Sequence, residues 1–316
     1  MQNTNCCLSC DERTRVVNIL GKPVTVKNYI CSADGVNYPK KQENVQLQLT
    51  VCPTSFCPGT CRFCIAKNTK SKRKLDIKKF ENVMTRLKEE DRVRGIKITG
   101  GEPFYDVGLL NEVISTIYGI FGYRFEVSVS TNGMNLEKLH EIKDLEHIEA
   151  IHISRHHYDD KINQAIFGGA PVPTAEKLKE IISTVSYKDI FVYNCMLLKD
   201  HINSAKEAHK FLDFAIYTKA KKVGFMSCTP VNAYAKEQAI RYEDVINDGD
   251  PSLLFTRGFC DYEFCRCRDG VYVSDTGSII EFYVRSTNSD GCKYSRGIVY
   301  DADDHLRDGY CGNVIL

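Results

Sequence analysis

From Val45 to Ser227 the chain alternates short apolar strands with amphipathic helices, and this alternation restricts its fold more than any other feature. The first strand, VQLQLTV, sets Val45, Leu47, Leu49 and Val51 on one face and Gln46, Gln48 and Thr50 on the other, the period-two pattern of a sheet. Asp76 stands as a helix cap before a stripe of Phe80, Val83, Met84 and Leu87 at helical spacing. The second strand, VRGIKIT, runs into Gly100, Gly101, Glu102 and Pro103, and its helix carries Leu109, Leu110, Val113, Ile114 and Ile117. The third, RFEVSVS, ends at Thr131–Asn132–Gly133, a turn signal, with a short helix predicted from Leu136 to Leu145. IEAIHIS, ending at Ser154 and Arg155, then DIFVYNCMLL and KKVGFMS, ending near Cys228, complete the strands. A loop with Gly168, Gly169, Pro171 and Pro173 precedes the helix AEKLKEIIST, and the next helix begins near Ser204 with Ala208, Phe211, Leu212 and Ala215.

About six βα units at this spacing call for parallel strands joined by crossovers of one hand. The fold class is therefore α/β, as a partial (β/α)6 barrel of the TIM type. A doubly wound open sheet satisfies the alternation equally. Residues 45–249 are assigned to this unit. Residues 1–44, with RVVNIL, PVTVKNYI and an Asp34–Gly35 turn, read as a small β-hairpin layer. From about Asp250 helical periodicity fades, and 250–316 read as a separate cysteine-rich extension.

Charge excludes some partners. Lys and Arg number 42 and Asp and Glu 41, a net charge of +1, so nothing favours a nucleic acid. The basic run from Lys67 to Lys79 reads as a solvated face. The opening MQNTNCCLSC lacks the basic and apolar regions of a secretory signal, and no apolar stretch would span a bilayer. The expectation is a cytoplasmic protein with no membrane partner.

Fifteen cysteines are too many for an ordinary enzyme of a reducing compartment and too scattered for a small disulfide scaffold, so clustered thiols point to soft-metal ligation. Cys57, Cys61 and Cys64 follow the first strand at C-x3-C-x2-C spacing, at the carboxyl end of a strand, where α/β folds carry chemistry. Gly59 lets the loop curl. Three thiolates from one loop suit an iron–sulfur cluster, and with four irons one stays open. A structural zinc would want a fourth ligand at paired spacing, and none stands nearby in sequence.

CPGTCRFC, followed a helix later by a strand ending in GGEP, resembles the radical S-adenosylmethionine superfamily from about Val45 to Pro230. That resemblance implies a [4Fe–4S] cluster whose open iron binds S-adenosylmethionine, reductive cleavage to a 5′-deoxyadenosyl radical, and hydrogen abstraction from a substrate. It also implies an electron donor such as flavodoxin or ferredoxin. By position, Gly100, Gly101, Glu102 and Pro103 match the segment that holds the methionine amino group. The glycines would let backbone approach the ligand and the carboxylate would meet the ammonium. Phe63 matches the aromatic residue beside the adenine. Ser154, Arg155 and Asn194 match or neighbour ribose and carboxylate contacts, with ordinary packing as the alternative for each.

The tail resembles the extension, of twitch or SPASM type, that holds an auxiliary iron–sulfur cluster in several members. Its usual cysteine spacing is absent. Asp275–Thr276–Gly277 resembles the extension's hairpin turn, while Glu281 and Phe282 stand where a cysteine would be expected. The ligand set implied is drawn from Cys260, Cys265 or Cys267, Cys292 and Cys311, with zinc or unligated thiols as alternatives. Cys6, Cys7 and Cys10 are read as metal ligands or reactive thiols of a free terminus, and Cys31, Cys52 and Cys195 as small buried hydrophobes. Cys228, at a strand end, is a candidate hydrogen-atom donor to a substrate radical, as in peptide epimerases of the superfamily, with core packing as the alternative. His152, His156 and His157 could touch substrate or serve as satisfied polar residues.

The function expected is modification of a ribosomally made peptide by cross-linking, epimerisation or oxidation. The alternative substrate is a small molecule such as a nucleotide or amino acid. Few residues precede the barrel to form a peptide-recognition domain, which weakens the first, and CGNVIL at the end differs from the glycine–arginine tail of the molybdenum-cofactor cyclase, which weakens the second. A zinc-stabilised binding protein without catalysis is the reading from another class.

Overall fold

The structure, a computed structural model, describes residues 14–27, 46–66, 73–186, 188–247, 249–255, 268–285, 297–310 and 312–316. An N-terminal hairpin pairs β1 (Thr14–Ile19) with β2 (Lys22–Lys27) antiparallel. Its turn lies at Leu20–Gly21, both at positive φ (49° and 82°), as a tight hairpin demands. The predicted hairpin is therefore present with a different turn, and Asp34–Gly35 lies outside the described residues.

The main sheet begins with β3 (Leu47–Val51), β4 (Val93–Ile98), β5 (Val127–Thr131), β6 (Ala150–Ser154), β7 (Phe191–Leu197) and β8 (Lys222–Ser227). These six strands are parallel and lie side by side in sequence order, the arrangement of a partial TIM-like barrel. The helices are α1 (Ile77–Glu89), α2 (Val107–Phe121), α3 (Asp160–Ile166), α4 (Ala175–Thr184), α5 (Ala205–Tyr217) and α6 (Ala233–Gln238). Asp76 caps α1 by accepting from the Lys78 and Lys79 N–H groups, a bond that contributes about 1 kcal/mol. The stripe Phe80, Val83, Met84 and Leu87 is buried as its spacing predicts.

Between β5 and β6 the structure departs from the predicted helix. Leu136–Glu141 and Leu145–His147 are separate 3₁₀ turns. Asn135 and Asp144 each take φ 58° just before them, and a left-handed residue at Asp144 interrupts any helix running to Leu145.

The described residues of the tail do not build a sheet of their own. A hairpin of β10 (Arg268–Val273) and β11 (Ile279–Arg285) turns at Gly277 (φ 79°), close to the predicted turn. β11 pairs parallel with β8, and β9 (Leu253–Phe255) pairs with β10. β12 (Gly297–Tyr300) pairs parallel with β3 at the opposite edge, followed by β13 (Leu306–Arg307). Residues of 250–316 thus extend the barrel sheet at both margins. No helix among the described residues is long and apolar enough to cross a membrane.

Candidate radical site at the barrel mouth

Strand alternation sorts the barrel into two faces. Leu49, Val51, Ile96, Ile98, Val129, Ile151 and Ile153 are fully buried on the helix side, while Thr50, Lys97, Ser128, Ser130, His152 and Asn194 are half-buried on the lumen side. The cysteine loop leaves β3 at the carboxyl end of this lumen.

Four segments hold that loop. Ser55 N–H donates to the Arg73 carbonyl at 3.0 Å and Leu75 N–H to the Pro53 carbonyl at 3.0 Å. Gly101 N–H donates to the Thr54 carbonyl and Glu102 N–H to the Phe56 carbonyl, both at 2.8 Å. Thr60 N–H donates to the Phe167 carbonyl at 3.0 Å. Asn232, the cap of α6, donates from Nδ2 to the Arg62 carbonyl at 3.0 Å, and the Arg62 guanidinium lies 4.0 Å from the Tyr234 ring centroid.

The glycines of GGEP serve this grip. A Cβ on Gly101 would stand 1.9 Å from the Phe56 carbonyl oxygen, and one on Gly100 2.8 Å from the Thr54 oxygen. They make room for the cysteine loop. Glu102 is held in place as well. Its carboxylate is 1% exposed. One oxygen accepts from Phe104 N–H (3.0 Å) and the Thr131 hydroxyl (2.6 Å), the other from Asn132 N–H (2.7 Å). Burial pushes its pKa up to about 7 against those three donors. The side chain braces two strand ends and is not open to an ammonium, which leaves main chain as what this segment offers. Pro103 is buried and starts a 3₁₀ turn for which Glu102 is the cap.

The three thiols act on one another electrostatically. Burial pushes Cys57 up to about 11 and Cys61 up to about 12, and each is raised further by Cys64. Asn132 Nδ2 donates to Cys57 Sγ at 3.7 Å. Among the described residues, the one set of three metal-type donors within 4.8 Å of one another is Asp301, Asp303 and His305. The three sulfurs are therefore not all within 4.8 Å of one another. Their all-thiolate chemistry suits iron–sulfur ligation. The Asp301 group is accounted for by ion pairs, Asp301 with Arg307 and Asp303 with Arg73, while the neighbouring Asp304 pairs with Lys79.

Other candidates separate clearly. Phe63 meets His156 edge-on at 5.1 Å. Arg155 is 1% exposed, and its guanidinium donates to the carbonyls of His157 (2.7 Å), Pro173 (2.9 Å) and Tyr158 (3.0 Å) and to Asp160 (2.5 Å), beside the Phe214 ring. Four of its five N–H donors are taken by these bonds. His156 accepts from Met196 N–H and His157 from Asp159 N–H, so both are satisfied polar residues. Ser154 and Asn194 are register neighbours on β6 and β7; Asn194 accepts from the Tyr283 hydroxyl at 2.8 Å. Cys52 and Cys195 are buried, as expected. Cys228 is 3% exposed, in a small cluster with Leu198 and Ala235 against which Phe63 and Met196 pack. Cys260, Cys265, Cys267, Cys292 and Cys311, like Cys6, Cys7, Cys10 and Cys31, lie outside the described residues.

Sequence reasoning missed two residues. Asn132 was legible only as a turn signal. Tyr310, in the tail, keeps 45% of its surface open. Its hydroxyl bonds Thr50 and Thr99 near Cys64, and burial raises its pKa. Nothing local in the sequence announces that contact.

A mixed α/β partial barrel with thiols gathered at its mouth narrows the class, and comparison with known proteins completes it. The family model "Radical SAM superfamily" matches residues 51–212, just over half of the chain. The chain belongs to that superfamily. The family implies S-adenosylmethionine and a [4Fe–4S] cluster as cofactors. Among solved structures, SuiB of Streptococcus suis bound to precursor peptide SuiA aligns at TM-score 0.50 and 20% identity, over 63% of this chain and 43% of SuiB. A radical SAM methyltransferase from Sphaerobacter thermophilus aligns at TM-score 0.50 and 14% identity, over 69% and 68%. At these identities the likeness is one of fold, and the chain spans less than half of SuiB. No curated protein sequence matches it.

Proposed function

We propose that Cys57, Cys61 and Cys64 hold the four-iron cluster and that the enzyme modifies a ribosomally made peptide in the barrel lumen. The observation that carries the first part is the cysteine loop itself, three interacting thiols fixed by four surrounding segments. When bound, the cluster and S-adenosylmethionine supply a 5′-deoxyadenosyl radical, which is chemistry no side chain provides. The chain's own residues bind and orient. Main chain at Gly100–Gly101 would hold the methionine end, Phe63 would flank the adenine, and Ser154 and Asn194 would offer polar contacts beyond. Asn132 donates to the Cys57 sulfur, and such bonds tune a cluster's potential. Cys228, packed against Phe63, is the thiol placed to return a hydrogen atom to a substrate radical. An auxiliary cluster on the tail cysteines and a flavodoxin- or ferredoxin-type donor complete the proposal. The peptide reading draws support from the fold shared with SuiB, which was solved with a precursor peptide.

Anaerobic reconstitution with iron and sulfide tests it. The parent should hold about eight irons if both clusters form, and about four should vanish with Cys57, Cys61 and Cys64 changed to Ala. With reductant and S-adenosylmethionine it should release 5′-deoxyadenosine, increasingly so with a peptide encoded beside it. Cys228→Ala should lose an epimerised product while cleavage continues. Full iron retention in the triple variant would overturn the ligand assignment.

A further inference from the structure

The lumen below the cysteine loop holds polar groups that have not found one another. Lys97 on β4 lies in register between Thr50 and Ser128, and Ser130 lies opposite His152. Among the described residues no carboxylate acts on Lys97, and burial alone pulls its pKa down. The Oγ of Ser130 and the Nδ1 of His152 are buried without a hydrogen-bond partner. His152 is neutral, pushed down to about 3 by burial and then by Lys97 and Arg285, and its ring already hydrogen-bonds the Asn194 side chain. Arg285, the other cation acting on His152, has a counter-charge in Asp269 at 3.6 Å. Lys97 has none.

An ammonium drawn out of water without a counter-ion is costly, and so is each orphaned hydroxyl or imidazole nitrogen. A barrel interior that leaves the Lys97 ammonium and the Ser130 hydroxyl open is arranged for an oxyanion, which accepts charge-assisted hydrogen bonds from both. We infer that Lys97, with Ser130, binds a carboxylate or phosphate group carried by the substrate. This rests on the reading that the substrate enters the lumen beside the three-thiol loop. For a peptide the group is an acidic side chain or the C-terminal carboxylate. A phosphate in its place marks a phosphorylated substrate.

The test is calorimetric titration of the reconstituted holoenzyme, with S-adenosylmethionine present, using glutarate, inorganic phosphate and the neutral glutaramide. One saturable site for glutarate or phosphate, and none for glutaramide, is expected, and whichever anion binds tighter assigns the source. Lys97→Met should weaken that site about tenfold or more while Lys97→Arg keeps it. Iron content checks that both variants are folded and loaded. Equal anion binding by Lys97→Met, or no anion binding by a parent that still makes 5′-deoxyadenosine, overturns the inference. A selective loss of S-adenosylmethionine affinity in Lys97→Met also overturns it, moving the lysine to the cofactor. A parent that makes no 5′-deoxyadenosine yet binds the anion counts against the radical reading alone.

Discussion

The rim of the barrel and its lumen use polar residues in opposite ways. At the rim, Glu102 takes three donors and Arg155 gives to four acceptors, each 1% exposed. Charge there is spent on holding loops in place. In the lumen, among the described residues, Ser130 and His152 each keep one buried atom unpartnered and no acid acts on Lys97. A polar residue at a strand end is therefore not evidence of ligand contact merely because it carries charge. The unsatisfied group marks the place where a partner is to come, and the satisfied one marks the frame.

Substitutions can break or sharpen this contrast. The largest effect is expected of Gly101→Ala, whose new methyl meets the Phe56 carbonyl oxygen at 1.9 Å. It should cost about 3 kcal/mol or more by denaturant unfolding, with iron lost from the reconstituted protein. Parent-like stability would show that the loop is not clamped. Arg155→Met should cost about 3 kcal/mol, since three carbonyls lose their donor. If stability holds and S-adenosylmethionine affinity falls instead, Arg155 belongs with the ligand contacts after all. Glu102→Gln removes one acceptor from a buried network and should cost about 2 kcal/mol. Gly224→Ala, whose methyl would lie 2.2 Å from the Tyr283 ring, should cost about 1 kcal/mol and free Asn194 from the Tyr283 hydroxyl. The smallest change belongs to Ser130→Ala, which removes a hydroxyl with no partner. Its stability should move by no more than about 0.5 kcal/mol, and a drop of rim size would erase the distinction between the regions.

Much of this was readable beforehand because it is local. Strand alternation placed β3 to β8 and their buried faces, and Asp76 marked the start of α1. The spacing of Cys57, Cys61 and Cys64 located the loop. What escaped depends on contacts distant in sequence. Nothing around Glu102 says that Thr131 and Asn132 will claim its oxygens. Arg155 looks available until Pro173 and Asp160 fold back on it. The predicted Leu136–Leu145 helix failed for a conformational reason, the left-handed Asp144. The tail read as a separate unit because its strands are short, and only their partners, β3 and β8, reveal that they belong to the barrel.

That pairing has a bearing on how the molecule is made. β11 and β12 are consecutive in the chain yet seal opposite margins of one sheet. During translation the first six parallel strands emerge with both outer edges bare, and bare edges invite pairing with other chains. The nascent chain must therefore either be shielded or delay its collapse until β11 and β12 clear the ribosome.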